Sequence, residues 1–397
     1  MKKTNLKYPA LSIAMAVASA LATPAVAQQG ANGADDLALE EIVVTARKRE
    51  ESLQDVPLTV TAVTATQIAE LGIKDSRDLA LFTPGFSNVT SFGRNSSERP
   101  TIRGQSNILG AANAAYFVDG VYLTGSASNT ETANLERIEV IKGPQAALFG
   151  RATFAGAINY VTRKPSEELS GQVTGTVGQF DQKDVTAFLS GPIIDGKLNF
   201  YISGTHTEIG GFYNNPLDSR DDLGAEQTDA VTGKLRWRPA EGIDITALVT
   251  YAEDKDAPPA LGLQGREYNN CQLNDPVLRP RSRGYYCGVV QPIEKLSIGA
   301  LTDQMPNPGT RRDRVRGALT ASFTTSSGYE LVSTTGYSEE NYEVQIDVSY
   351  GGYDFGQLTP VPVATAFTAQ WTDRKSTRLN SSHVSESRMP SSALKKK

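Results

Sequence analysis

Apolar and polar positions follow two different patterns along this chain. Up to about residue 165, short apolar runs alternate with helical segments. Residues 57–63 predict a strand, and a helix is expected to follow it and to end at Gly72. Thr64 and Gln67 have the spacing of a capping box at the start of that helix. From Leu169 onward, apolar and polar residues alternate at every second position. The two patterns predict a compact α/β unit followed by a part built from strands.

The first part contains further signals of local structure. Asp119-Gly120 lies between two apolar runs, which is a strong signal for a β-hairpin with a type I′ turn. Ile138 and Val140 alternate with charged neighbours, which predicts a strand. A short helix is expected from Pro144 to Gly150, because proline suits the first helical turn. The sequence "GAINYVTRKP" predicts one more strand.

The second part has the alternation of outer-membrane barrel strands. Val231, Leu235 and Trp237 share one face of a predicted strand, whereas Lys234 and Arg236 lie on the other. Similar patterns recur in residues 243–251 and 314–323. A soluble β-sandwich also alternates, but here tight turns alternate with long polar loops, as in membrane barrels. We therefore expect the apolar faces to contact lipid and the charged faces to line the lumen, in about seven strands before residue 374.

Four motifs in order, "PTIRGQ", "YFVDGVYL", "LERIEVIKGPQAALFGR" and "GAINYVTRKP", resemble the plug domain of TonB-dependent outer-membrane receptors. The resemblance covers roughly residues 42–165 and implies an α+β plug domain followed by a transmembrane antiparallel β-barrel. It makes four glycines scaffold positions where the chain turns or packs closely: Gly104, Gly143, Gly150 and Gly156. Ala155 departs from the family, which often has two adjacent glycines at this point.

The number of predicted barrel strands indicates whether this chain could form a closed barrel around its plug. Plugged barrels have about 22 strands, and a barrel of about eight strands has room only for its own side chains. A plug of about 110 residues has a radius of gyration near 13 Å, so it cannot fit inside a barrel of about eight strands. We therefore expect the chain to be the N-terminal part of a longer receptor, with an incomplete barrel.

Both ends of the chain differ from the rest. Residues 1–27 have the basic start, the short apolar core and the small-residue end of a secretory signal peptide, and the apolar run is too short for a membrane anchor. Residues 374–397 are rich in serine and basic residues, and we interpret them as a non-native tail outside the fold. The expected domains between them are a periplasmic linker (28–55), the plug (56–165) and the first barrel strands (166–373).

Charge and cysteine content narrow the possible partners. Without the two ends, 29 basic and 43 acidic residues remain, which argues against a nucleic-acid partner. Cys271 and Cys287 lie in an exported chain, where a disulfide is favoured over a metal site or a reactive thiol.

One short apolar segment lacks an obvious partner strand. Residues 42–46 are apolar or β-branched, charged residues flank them on both sides, and no second strand is expected close in sequence. The resemblance implies that they are the TonB box, which pairs with the energy-coupling protein TonB by strand addition. A first strand of the plug is the alternative. The predicted TonB-binding residues are Ile42, Val43, Val44, Thr45 and Ala46.

The function expected from the resemblance is TonB-dependent import of a scarce substrate, most simply a ferric siderophore, across the outer membrane of a Gram-negative bacterium. Oligosaccharide or cobalamin uptake, and a non-functional fragment, stay open. An arginine- and tyrosine-rich stretch in a long loop is the candidate contact for an anionic ligand: Arg279, Arg281, Arg283, Tyr285 and Tyr286. Because no catalytic or metal-binding constellation is evident, neither an enzyme nor a cofactor is expected.

Overall fold

The computed structural model describes residues 42–48, 50–89, 98–106, 112–123, 132–150, 152–216, 223–263, 270–275, 279–288, 297–300, 305–347 and 366–384. The predicted signal peptide lies outside these residues. In the described part, no helix is long and apolar enough to cross a membrane.

The N-terminal unit is an α+β domain. Its strands are β1 (Val43–Val44), β2 (Glu51–Ser52), β3 (Thr59–Thr64), β4 (Phe86–Val89), β5 (Arg99–Ile102), β6 (Ala114–Val118), β7 (Val121–Tyr122), β8 (Leu135–Lys142) and β9 (Gly156–Thr162). Its helices are α1 (Ala65–Glu70), α2 (Ser76–Phe82) and α3 (Ala146–Phe149), with a 3₁₀ turn at Thr132–Asn134. A five-stranded sheet in the order β3-β8-β9-β6-β7 forms the centre, and only its β6–β9 pair is parallel.

Local signals in this domain predicted its elements well. Thr64 caps α1, and Gln67 completes the capping box. Asp119 and Gly120 both have positive φ values, 47° and 76°, as the predicted type I′ turn between β6 and β7 requires. The predicted start of α3 at Pro144 is wrong by two residues, because Gln145 has non-helical dihedrals and occupies the N-cap position.

The central sheet is buried on both faces. One face packs on a cluster that includes Ile68 of α1 and Leu79 of α2. The other face packs on a cluster that includes Val44 and Phe149. Sheet residues alternate between the clusters, so Ile138 and Val140 belong to the first and Ile141 to the second. The domain therefore has three layers, with residues 42–58 and α3 covering the second face of the sheet.

The second part is a single antiparallel sheet of long strands. They are β10 (Ser170–Val177), β11 (Lys183–Ile194), β12 (Leu198–Ile209), β13 (Glu226–Trp237), β14 (Ile243–Asp256), β19 (Gly309–Thr324), β20 (Glu330–Asp347) and β21 (Ala366–Val384), paired in that order. The insertion between β14 and β19 contains β15 (Gly262–Leu263), β16 (Cys271–Asp275), β17 (Arg279–Tyr285) and β18 (Ser297–Ile298). Among the described strands, seven of the long ones precede residue 366, as the sequence predicted.

The predicted faces of the long strands are confirmed. In β13, Val231, Leu235 and Trp237 are exposed on the outer face, whereas Lys234 is buried on the inner face. In β19, Arg314 is likewise buried on the inner face, where it pairs with an acidic residue of β14. Exposed apolar side chains on the outer face and charged ones inside are the distribution of a transmembrane barrel strand.

The last strand corrects one expectation. We expected residues 374–397 to lie outside the fold, but β21 continues to Val384 and pairs with β20. The exclusion is therefore wrong for residues 374–384. The pairing is irregular there, with register shifts on either side of Thr334. The origin of this tail stays a prediction.

Candidate functional site: the Ile42–Ala46 segment on the plug

The Ile42–Ala46 segment is ordered against the N-terminal domain. Val43 and Val44 form β1, which pairs with Ser52 and Glu51 of β2. Our expectation that no strand close in sequence pairs with this segment is therefore wrong. The structure has the arrangement of the alternative, a first strand of the plug. Pairing with TonB is a separate question, and it stays a prediction.

Side chains of the segment alternate between the core and solvent. Val44 and Ala46 are fully buried in the second cluster, whereas Val43 is 39% exposed. Burying a valine side chain contributes about 1.5–3 kcal/mol. Two further backbone hydrogen bonds hold the β1–β2 hairpin. Leu53 N–H donates to the Ile42 carbonyl, and Lys48 N–H donates to the Thr45 carbonyl within the turn. The apolar and main-chain contacts of the segment are thus one buried valine, one buried alanine and a two-residue strand.

Thr45 makes the polar contacts of the segment with the central sheet. Its backbone N–H donates to Oε1 of Glu139 over 2.7 Å, and its hydroxyl lies 3.1 Å from both carboxylate oxygens. Nε of Arg137 donates to the same carboxylate over 2.8 Å. Nδ2 of Asn159 lies 3.3 Å from the Thr45 hydroxyl and 3.4 Å from Glu139. A buried polar network therefore connects the segment with β8 and β9.

Charged residues that follow the segment bind the rest of the plug. The ammonium of Lys48 lies 5.4 Å from the centre of the Phe149 ring, and burial lowers the pKa of Lys48. A hydrogen bond from the Lys164 ammonium lowers the pKa of Glu50. Arg47 and Glu51 form an ion pair of 3.4 Å. These contacts fix the turn between β1 and β2.

The plug also contacts the inner face of the barrel sheet. The ammonium of Lys234 in β13 donates to the Thr162 hydroxyl and to the Arg163 carbonyl, and it lies 3.5 Å from Oδ2 of Asp119. The Tyr201 hydroxyl of β12 donates to Asn134 over 2.8 Å. The Asp119-Gly120 turn is therefore anchored directly to the barrel wall.

Lys234→Met tests this anchor. Methionine keeps the length of the side chain and removes the ammonium, so Asp119 and the Arg163 carbonyl lose a partner at a largely buried contact. We expect the plug to be destabilised by about 1–3 kcal/mol, measured by denaturant-induced exposure of the plug to protease in the purified receptor. Lys197→Met at an exposed turn is the control. An equal loss in both variants would contradict the anchoring role.

The candidate substrate residues lie in the insertion between β14 and β19. Arg279, Arg281 and Arg283 fall at every second position of β17, which also contains Tyr285 and pairs with β16; Tyr286 directly follows the strand. Cys271 and Cys287 are bonded to each other, with Cα atoms 5.9 Å apart, a separation that disulfides commonly show. Their pairing in the folded receptor stays a prediction, as does the role of the arginines.

The sequence did not identify Arg137, Glu139 and Asn159 as site residues. The alternation around Ile138 indicated a strand with one charged face, and a charged face suggests exposure to solvent. In the structure β8 lies between β3 and β9, so both of its faces are covered and Glu139 is fully buried. The sequence signal that could have indicated burial is the position of Glu139 between the apolar residues Ile138 and Val140.

Comparison with known proteins identifies the fold. Residues 52–157 match the family described as TonB-dependent Receptor Plug Domain. The pesticin receptor of Yersinia enterocolitica is 30% identical over 221 residues, which is 55% of this chain and 32% of that protein. The ferrichrome outer membrane transporter/phage receptor of Escherichia coli is 24% identical over 217 residues, 53% of this chain and 28% of that protein.

A solved structure shows the same architecture. The ferric yersiniabactin uptake receptor FyuA from Yersinia pestis matches with a TM-score of 0.58 at 24% identity, over 73% of this chain and 42% of that one. At this identity the likeness shows the fold alone. The chain spans about a third of the length of the two curated relatives, 32% and 28%.

The fold and the matches together define the class: a plug domain joined to strands of an outer-membrane β-barrel. The resemblance to TonB-dependent receptors that the four motifs carry is confirmed, because residues 52–157 match the plug domain of these receptors. The outer membrane, expected from the sequence as the location, is confirmed with it.

Proposed function

We propose that the receptor to which this chain belongs imports a scarce substrate across the outer membrane, driven by TonB. The observation that carries the proposal is the plug domain with a short strand segment, Ile42–Ala46, directly before it. The segment is held by a two-residue strand, two buried side chains and the polar contacts of Thr45, and a partner strand would replace the strand pairing. Main-chain hydrogen bonds contribute about 0.5–1.5 kcal/mol each, which makes such pairing weak and reversible.

We propose a division of the chain into domains that agrees with this function. We propose residues 28–55 as the periplasmic linker with the TonB box, 56–165 as the plug and 166–373 as the first part of the barrel. The family match at residues 52–157 is compatible with these bounds. The partners that we propose are TonB at the periplasmic face, lipid around the barrel, and a substrate at the outer face.

A ferric siderophore is the substrate that we favour. Proteins of this fold include the ferric yersiniabactin uptake receptor named above. In this chain, the positively charged positions of β17 suit an anionic ligand, and two tyrosines can stack on its aromatic groups. Pesticin binding by one relative is a property of that protein, and nothing in this loop assigns it here.

We further propose that the receptor transports its substrate without catalysing a reaction. No group of three or more potential metal ligands occurs in the described residues. His206 lies on the outer face of the barrel sheet, where it contacts Asp229 over 2.7 Å. We propose a receptor without enzymatic activity or a resident cofactor.

Replacing the three arginines of β17 by glutamine tests the substrate assignment. If the ligand is an anionic ferric chelate, we expect binding of iron-loaded siderophore to whole cells to weaken at least tenfold, because three charges are removed from its site. Uptake should fall in proportion. Conversion of Arg311 to glutamine, also a basic residue but in β19, is the matched control. Unchanged binding in the triple variant would reject this loop as the siderophore site.

A further inference from the structure

Glu139 occupies an unusual place for a carboxylate. It lies in the middle of β8, opposite Ala62 of β3 and Asn159 of β9, and its side chain is fully buried. A charged group in such a position destabilises a fold unless it is paired and fully hydrogen-bonded. The partners of this carboxylate therefore show what it does.

Those partners divide into two kinds. Arg137, itself nearly buried, compensates the charge from within the same strand. The other main partner, Thr45, belongs to the Ile42–Ala46 segment and contributes both its backbone N–H and its hydroxyl. Hydrogen bonds to a carboxylate are roughly twice as strong as neutral ones, so these are the strongest polar contacts described for the segment.

Release of the segment would leave no isolated charge. When Thr45 moves away, the Glu139 carboxylate keeps its ion pair with Arg137, and water can replace the threonine. An attachment whose buried charge stays compensated in both states can open and close reversibly. The alternative, a carboxylate paired with the segment alone, would make opening far more costly.

Asn159 extends the network toward the barrel. Its amide donates to the Thr45 hydroxyl, and its oxygen accepts a hydrogen bond from Gly120 N–H over 3.0 Å. The neighbouring Asp119 accepts hydrogen bonds from the backbone N–H and the hydroxyl of Thr162, and it faces Lys234 of the barrel wall. Hydrogen bonds thus lead from Lys234 of β13 through Thr162 to Asp119, and from Gly120, the next residue in the chain, through Asn159 to Thr45.

We propose that Glu139 is a latch that holds the Ile42–Ala46 segment on the plug, and that Asn159 couples this latch to the Asp119-Gly120 turn at the barrel wall. Glu139 and Asn159 are positioning residues, since they act through Thr45. The inference rests on the proposed pairing with TonB for its biological meaning, but the latch itself exists without that partner.

The accessibility of a cysteine at position 44 measures release. Val44 is fully buried when the segment is docked, so a Val44→Cys variant reacts with a maleimide only when the segment opens. The two native cysteines are bonded to each other in the structure, and the receptor without the Val44→Cys change gives their background labelling rate. The rate is measured with the receptor in outer-membrane vesicles, without TonB.

Glu139→Gln retains the shape of the side chain and removes its charge, so we expect labelling at position 44 to become about five- to tenfold faster. Thr45→Val should have a similar effect. A variant that carries both Glu139→Gln and Thr45→Val should be labelled little faster than either single variant, because both changes remove the same contact. Glu136→Gln is the matched control: Glu136 also pairs with Arg137, but it does not contact Thr45.

A second reporter separates a latch from general loosening of the plug. Leu79 is fully buried in the first cluster, on the opposite face of the sheet, and Leu79→Cys should stay protected in the Glu139→Gln background. Equal acceleration at both positions would overturn the proposal, as would a Glu139→Gln rate equal to that of the parent.

The coupling through Asn159 has its own test, because a path of contacts is a coupling only if its energies are not additive. Lys234→Met should speed labelling at position 44 in the parent and have no further effect after Asn159→Ala. An unchanged Lys234→Met effect in the Asn159→Ala background would reject the coupling. These labelling rates are measured without TonB, so they would not change if TonB did not bind the segment. The experiment therefore tests the latch independently of the proposed pairing with TonB.

Discussion

Replacing Val44 with proline is expected to abolish substrate uptake by the full-length receptor and to leave substrate binding at the cell surface intact. Proline has no backbone N–H, and strand addition depends on main-chain hydrogen bonds. In the proposed mechanism, uptake needs TonB, whereas binding depends on the external loops of the barrel. Both are measured on the same cells with a radiolabelled substrate, at a temperature that permits transport and on ice.

Val44→Ala separates the backbone from the side chain. Alanine keeps the N–H and removes the buried apolar contact with the second cluster. We expect uptake to persist in this variant, because the segment can still add as a strand. If Val44→Pro instead weakens binding as much as uptake, the segment serves only as the first strand of the plug, the arrangement in which β1 pairs with β2.

Local patterns account for what the sequence predicted correctly. The capping box at Thr64 and the turn at Asp119-Gly120 each depend on a few adjacent residues, and both occur as expected. The outer and inner faces of β13 follow from alternation alone, because Val231 and Lys234 cannot share a face of a strand. Four ordered motifs then carried the resemblance to TonB-dependent receptors, which the plug-domain match confirms.

Contacts between distant residues account for what the sequence did not predict. The order β3-β8-β9-β6-β7 buries both faces of β8, and no pattern within residues 135–142 reveals it. Glu139 lies 94 positions from Thr45, so its role depends on that order. The pairing of β1 with β2 was also missed, since two residues per strand are too few to produce a periodic signal.

Gly156→Ala is expected to prevent stable folding of the plug. Gly156 begins β9, where it pairs with Ala114 of β6 and Lys142 of β8. A Cβ atom at this position would overlap the carbonyl oxygen of Ile141 and lie 2.6 Å from Cδ1 of Ile102. The carbonyl belongs to the neighbouring strand and cannot move without breaking the sheet, so we expect a loss of more than about 3 kcal/mol.

Gly233→Ala provides the matched comparison. It makes the same chemical change within a strand, but a Cβ at Gly233 meets no atom within 4 Å. Denaturant unfolding of the purified receptor, followed by protease sensitivity of the plug, should show a large shift for Gly156→Ala and almost none for Gly233→Ala. Similar stability of the two variants would mean that β9 can separate from β8 at this point. The buried network of Glu139 and Asn159 would then lack the rigid sheet on which the proposed latch depends.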